Sequence, residues 1–549
     1  MLQVSFSEAS MSLSERLKDP RLFRQQAFVA GTWADADSGA TLAVTDPATG
    51  AEIGTVPALG AAETRRAIKA AEEAWPAWRS LPSSERGRLL EEWCRLMLEN
   101  IDDLALIMTM EQGKPLAESV GEIRYGAGFI KWFAEEARRV YGDTIPAPTA
   151  DRRILVLKEP VGVSASITPW NFPNAMITRK AGPALAAGCP IVAKPSELTP
   201  FSALALAVLA ERAGIPKGVF SVVTGMPQAI GAELTSNPSV RKLSFTGSTR
   251  VGQILMQQSA STIKRVSFEL GGNAPFIVFD DADIDLAVSG LMASKFRNGG
   301  QTCVCANRVL VQEGIYERFA DRLLAETSKL VVGSGLREGV TIGPLINRAA
   351  VDKVRRHIDD ALSNGAEIML GGKTGSKDQF VEPTVLSNAT VSMQLANEET
   401  FGPVAPLFRL SMRKRRSRSL TRPLTGWHRI SMLPTSTAHG ASLRGWSSAW
   451  WASTPARYRS RSRPSAASSN PELVAKDPSL ESRNIWRSRP FTSAGSARGD
   501  WASSLSEAFA PSPAYSSRCT CGEDGSCRCR PSAGLSRERA RPPFRSYPR

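Results

Sequence analysis

The run PIVAKP (190–195), an Ala/Leu-rich stretch at 200–214, VFSVVTG (219–225), residues 227–235, VRKLSFTGS (240–248) and residues 251–259 follow one another along the chain, and their order decides the fold. The first, third and fifth pieces are short and apolar, rich in Val, Ile and Phe, as strands buried on both faces are. The second, fourth and sixth have helical spacing, with apolar residues three and four apart. A helix between two strands carries the chain back across the sheet, so the strands lie parallel with helices on both faces. The expected class is α/β, built on a doubly wound parallel sheet.

Toward the N-terminus, residues 153–169 read as two strands. Helices are expected over 61–78, 83–110 (after the cap candidates Ser83 and Ser84) and 116–140, ending near Gly142. Short apolar runs over 28–56, punctuated by Gly31, Gly39, Pro47 and Gly50, read as strands and turns. The first twenty residues are polar and are expected to be poorly ordered. Toward the C-terminus a second α/β region opens at Val266, with strands APFIVF (274–279) and NRVLVQ (307–312) and helices near 283–296, 315–330 and 348–364. No internal repeat is evident.

At 549 residues and 42% hydrophobic content the chain can fill two or three domains. Its net charge of +15 would ordinarily suggest an anionic partner, but the charge is not spread evenly. Residues 411–549 hold 25 Lys and Arg against 8 Asp and Glu, a net of +17, which leaves residues 1–410, with 43 against 45, at −2. Cysteines divide too: Cys94, Cys189, Cys303 and Cys305 in the body, Cys519, Cys521, Cys527 and Cys529 in the tail. Four body cysteines, no leader and no long apolar segment imply a reduced, cytoplasmic protein.

Cys303 stands in FRNGGQTCVC (296–305). Free cysteines are most often inert core residues, yet a glycine-rich polar loop is unlike a core strand and points to a thiol nucleophile. With only three histidines in the chain, its base is sought among the carboxylates. Glu269 leads, because FELGGN (268–273) sets it between apolar residues and a glycine pair that permits a bend. GSTRVG (247–252) joins a strand to a helix, where N–H groups can face a pyrophosphate; it lacks the GxGxxG pattern and alone reads as a turn. KPSE (194–197) leaves a buried strand where ligand crevices open in such sheets, or is an ordinary charged loop. Asn171, in TPWNFP (168–173), taken alone is a turn residue. Arg179 and Arg297, near these motifs, are either solvated charges or a fork for a carboxylate.

Together FELGG and GGQTC resemble the glutamate and cysteine signatures of the aldehyde dehydrogenase superfamily, and KFRNGGQTCVCANR (295–308) is closest to its succinate-semialdehyde dehydrogenases. The resemblance spans residues 28 to 409. It implies a dinucleotide-binding domain at 21–140 and 157–265, an oligomerisation hairpin at 141–156 and a catalytic domain at 266–410. It also implies thiolate addition of Cys303 to an aldehyde, hydride loss to NAD or NADP, and hydrolysis of the thioester by water activated at Glu269. In the family Asn171 stabilises the oxyanion. Trp170, Lys194, Ser196, Glu197, Gly247, Ser248, Gly252, Glu399 and Phe401 match cofactor positions, with Lys194 on the adenosine ribose and Glu399 and Phe401 on the nicotinamide ribose and ring. A carboxylate at Glu197 accepts from a 2′-OH and repels a 2′-phosphate, which favours NAD. Arg179 and Arg297 match arginines that bind the substrate carboxylate, and Cys305 matches the partner of a reversible disulfide in some relatives. The implied partner is a small carboxylated aldehyde, with a homo-oligomer for the intact family protein and no metal, membrane or specific nucleic acid.

The likeness stops at the tail, which is rich in Arg, Ser and Pro and has only Lys414 and Lys476 as lysines. It reads as an irregular basic extension, as a nucleic-acid arm with a Cys-x-Cys metal site, or as a shift of reading frame after Arg409. The third reading explains most. Read two bases along, 449–452 forces Val-Gly, 464–472 permits Phe-Gly-Gly-Val-Lys-Gln-Ser-Gly and 479–489 permits Glu-Tyr-Leu-Glu-Ile-Lys, which are family motifs in order. The sequence thus points to oxidation of succinate semialdehyde to succinate. The alternatives are another aldehyde, such as glutarate semialdehyde or a medium-chain one, or an inactive remnant with a basic tail.

Overall fold

The computed structural model describes residues 11–376 and 378–410 and, beyond them, the backbone of Ile430–Met432, Trp486–Ala494, Thr520–Cys521 and Cys527–Arg528. Those short strands interrupt a tail expected to be irregular; the rest of it, with its cysteine side chains, lies outside the described residues. By internal packing the chain divides into Met1–Ile145 with Leu155–Phe491, and Pro146–Ile154 with Thr492–Arg549. In the second unit Thr520–Cys521 pairs antiparallel with Cys527–Arg528. The first unit holds both large sheets, of seven and six strands, so the division expected near residue 265 falls inside it.

In chain order the first half supplies strands β1 (Ala27–Val29), β2 (Thr32–Ala34), β3 (Thr41–Thr45), β4 (Glu52–Pro57), β5 (Asp143–Ile145), β6 (Arg152–Pro160), β7 (Val163–Ile167), β8 (Ile191–Lys194), β9 (Phe220–Val222), β10 (Val240–Gly247) and β11 (Arg265–Leu270). Seven form one sheet in the order β11-β10-β7-β8-β9-β1-β2. Strands β7 to β11 run parallel, and β1 lies antiparallel to β9 and β2. The alternation at 190–259 therefore gives the expected doubly wound layout. Its helices are α1 (Leu13–Arg16), α2 (Ala61–Ser80), α3 (Ser83–Glu99), α4 (Ile101–Gln112), α5 (Leu116–Glu136), α6 (Ala175–Ala186), α7 (Phe201–Arg212), α8 (Pro227–Ser236) and α9 (Thr249–Ser259).

The second sheet has the order β14-β15-β16-β13-β12-β17, from β12 (Ala274–Val278), β13 (Ala306–Gln312), β14 (Glu367–Leu370), β15 (Thr384–Ser387), β16 (Val404–Leu410) and β17 (Ile430–Met432). It is parallel except for β14. Against it lie α10 (Ile284–Lys295), α11 (Tyr316–Thr327) and α12 (Arg348–Ser363). Helix α12 buries Val351, Val354, Ile358 and Ala361, a spacing of three and four that turns one apolar stripe to the core. Among the described residues no helix is long and apolar enough to cross a membrane.

Three expectations need correction. The helix expected over 83–110 is two, because Asn100 ends α3 with its N–H and Nδ2 on the Leu96 carbonyl while its own carbonyl accepts from Leu104. Helix α6 escaped notice because nearly all of it is buried, so it has no polar face to give a period, and Pro183 lies inside it. Residues 11–20 are packed rather than loose: Leu13 and Leu17 are buried, and the N–H groups of Lys18 and Asp19 donate to Asp103.

Candidate active site

The carboxyl ends of the first sheet's parallel strands bring one group of motif residues together. Lys194, the last residue of β8, is 2% exposed, and its Nζ donates to Glu197 at 2.9 Å. Burial pushes the Lys194 ammonium down from its usual range, with Glu197 pulling back up. Glu197, expected to face a ribose, is thus already shared with Lys194. Ser196 accepts from the Leu198 N–H at 3.2 Å. Gly247 closes β10 and Ser248 caps α9, accepting from the Val251 N–H at 3.4 Å. A Cβ at Gly252 would lie 2.7 Å from the Leu270 side chain, so that glycine lets α9 pack close to β11. The hydroxyls of Thr168 and Thr246 are buried here without a hydrogen-bond partner. A helix N-terminus, a buried ammonium and two unsatisfied hydroxyls at strand carboxyl ends suit a dinucleotide. Glu269, half-buried on β11, lies opposite Thr246 in the pairing register.

The second sheet contributes from its strands' amino ends. Cys303 precedes β13 and is partly exposed, whereas Cys94, Cys189 and Cys305 are buried. Burial pushes the Cys303 thiol up and the Glu399 carboxylate adds to this; Arg179, the residue's own N–H and Arg297 pull it down. The thiol is thus protonated at neutral pH and needs a base before it can attack. Arg179 donates to the Tyr125 hydroxyl at 2.7 Å and lies 4.7 Å over the Phe129 ring; Arg297 lies 5.1 Å over Phe172. These are held guanidiniums rather than loose surface charges.

Asn171 is buried, and its Nδ2 donates to the Gln301 carbonyl at 2.9 Å, two residues before Cys303. One N–H of that amide is therefore committed to the loop before Cys303, and the amide has a second N–H to offer a further acceptor. Glu399 precedes β16; its carboxylate accepts from the Gly272 N–H at 3.4 Å, and any side chain at Gly271 would collide with it. Burial raises Glu399 to about 7. Phe401 takes a left-handed backbone, φ 58°, and its ring meets Trp170 edge-on at 5.5 Å. Cys305 is engaged elsewhere: Lys295 Nζ, fully buried, donates to its sulfur at 3.3 Å, and the thiol donates to the Lys295 carbonyl.

Residues 33–414 match the sequence pattern of the aldehyde dehydrogenase family. The chain belongs to that family. Aldehyde dehydrogenases act on small aldehydes with NAD(P)+. The chain is 62% identical over 395 residues to the glutarate-semialdehyde dehydrogenase of Pseudomonas aeruginosa, covering 72% of this chain and 82% of that one. It is equally 62% identical over 395 residues, with the same coverage, to the succinate-semialdehyde dehydrogenase (NADP+) GabD of Escherichia coli K12. The crystal structure of succinate-semialdehyde dehydrogenase from Burkholderia pseudomallei superposes with a TM-score of 0.81 at 53% identity, over 87% of this chain and 100% of that one. The aldehyde dehydrogenase fold expected from the motifs is the fold found.

Sequence reasoning missed Lys114, Glu118, Glu122 and Asn298, which lie behind Asn171. Their only sequence signal is a polar turn, QGKP (112–115), before a helix whose carboxylates look like a solvated face.

Proposed function

We propose that this chain oxidises succinate semialdehyde to succinate. The observation that carries the reading is that Arg179 is held on Phe129 and Arg297 on Phe172, next to Asn171, whose amide bonds the loop that carries Cys303. A substrate whose aldehyde carbon meets the sulfur would then have its distal carboxylate beside two guanidiniums. The relatives' printed substrates, succinate and glutarate semialdehyde, both carry such a carboxylate, and their equal identity keeps glutarate semialdehyde as a second reading.

In this reading Glu269 takes the Cys303 thiol proton and passes it to solvent, the sulfur adds to the aldehyde carbon, and the second N–H of Asn171 with the Cys303 N–H meets the alkoxide. NAD(P)+, held at Lys194, Ser196, Glu197, Trp170, Gly247, Ser248, Gly252, Glu399 and Phe401, would supply a hydride acceptor for the carbon bonded to Cys303. Glu269 then takes a proton from the water that attacks the Cys303 thioester, and succinate leaves. Glu197 supports NAD+ by repelling a 2′-phosphate, whereas its pairing with Lys194 and the E. coli relative's NADP+ weigh against it. A kcat/KM for NADP+ above that for NAD+ would refute the NAD+ preference.

The deciding experiment is the charge of the substrate. Arg179→Ala and Arg297→Ala should each raise KM for succinate semialdehyde about tenfold to a hundredfold, with little change for a neutral aldehyde of the same length. Equal losses on both aldehydes would end the carboxylate reading.

We further propose that residues after 410 are read out of frame. The family match ends at 414, and codons after Arg409 permit family motifs two bases along. Sequencing the gene around that codon checks it; an unbroken frame there refutes the shift.

A further inference from the structure

Lys114 has no part in the chemistry above, yet it is fully packed between Gly113, whose φ is 91°, and Pro115. Its Nζ donates to the Glu122 carboxylate and, at 2.8 Å, to the main-chain carbonyl of Asn171, and it lies 4.2 Å over the Phe172 ring. That carbonyl also accepts from Asn298 Nδ2 at 3.0 Å. Asn298 holds a left-handed φ of 51°, and its own N–H donates to Glu118 at 2.8 Å. The other Glu122 oxygen accepts from the N–H groups of Asn174 and Ala175 at 3.0 and 3.1 Å, where α6 begins. Glu118 and Glu122 lie four residues apart, so they project from one face of α5. One carboxylate grips the loop that carries the nucleophile; the other grips the loop that carries Asn171.

We propose that Lys114, Glu118 and Glu122 are positioning residues that hold Asn171 in register with the Cys303 loop. The inference rests on the role given to Asn171 above. Two donors on one carbonyl fix the Asn171 peptide, from which its amide reaches the Gln301 carbonyl. A displacement near 1 Å at a reacting group costs on the order of a hundredfold in rate, so this clamp lies in the path of the chemistry without touching substrate.

The test uses the full chain. Lys114→Met leaves Glu122 buried without its cation, so Lys114→Met/Glu122→Gln is made beside it to keep the site neutral. Amide hydrogen exchange should rise about tenfold or more over residues 298–303 and 171–175 and stay unchanged in β8 and β10. Exchange needs no turnover, so it decides by itself: unchanged protection at 298–303 in both variants overturns the clamp, as does an equal rise through the whole sheet. In kcat/KM with succinate semialdehyde, Lys114→Met should lose about tenfold to a hundredfold alone and nothing further when added to Asn171→Ala. Multiplying losses would mean that Lys114 acts by another route. Full turnover in Asn171→Ala would instead sink the role of Asn171 and leave the exchange result standing.

Discussion

The two large sheets of the first unit offer opposite ends to the site. Thr168, Lys194, Gly247 and Glu269 lie at the carboxyl ends of β7, β8, β10 and β11, whereas Gly272, Cys303 and Glu399 lie just before the amino ends of β12, β13 and β16. Helices that follow parallel strands point their N-termini and partial positive charge toward the first group; the first N–H groups of α6 and α7 are taken by Glu122 and Glu111, which leaves the end of α9, capped by Ser248 at Val251, to face a phosphate. The second group follows helix C-termini and irregular turns, and its cations come from side chains. A backbone-built crevice suits a cofactor with phosphates; a side-chain-built one suits a nucleophile and a carboxylate. The division predicts which substitutions separate binding from chemistry.

The largest effect should come from Cys303→Ala. Turnover should fall at least about 10⁴-fold while the affinity for NAD(P)+, read by ligand fluorescence, changes less than twofold. Residual turnover near wild type would remove the nucleophile from the second sheet and collapse the contrast.

Glu399 tests the seam, because it belongs to a second-sheet loop and bonds to the Gly272 backbone. Burial raises it to about 7, so it is largely protonated below that pH and ionised above it. Ribose hydroxyls donate to the ionised form, so cofactor affinity should strengthen as pH rises, by about tenfold from pH 6 to pH 8. Glu399→Gln should flatten the profile. A flat profile in the unaltered chain would place Glu399 away from the cofactor.

This contrast also explains what the sequence disclosed. The first sheet was legible because strand and helix alternate with clean periods from 190 to 259, and its candidate cofactor residues stand at strand ends that the periods locate. Cys303 and Asn171 were legible only through short motifs, since loops carry no period, and Glu269, on β11, lies beyond the alternating stretch and was likewise found by its motif. Lys114 and Glu122 were hidden for another reason: an ion pair buried between three segments looks, in sequence, like two surface charges. Helix α6 was missed because burial all round erases the signal that marks a helix.

The smallest effect lies outside both groups and serves as their control. Ile263 ends the short turn before β11 with φ 50° and ψ 31° and is 91% exposed. A β-branched residue in the left-handed region crowds its own carbonyl at a cost of roughly 1–2 kcal/mol, while glycine adopts it freely but gives back part of that gain as unfolded-state entropy. With almost no side-chain burial to lose, Ile263→Gly should stabilise the chain by about 1 kcal/mol or slightly less, a rise in Tm of roughly 1–2 °C. Thermal unfolding checks it. Since Arg265, two residues on, begins the strand that carries Glu269 near its other end, a change in kcat here would show that strain at the turn is transmitted along β11, and the two ends of that strand would no longer count as independent.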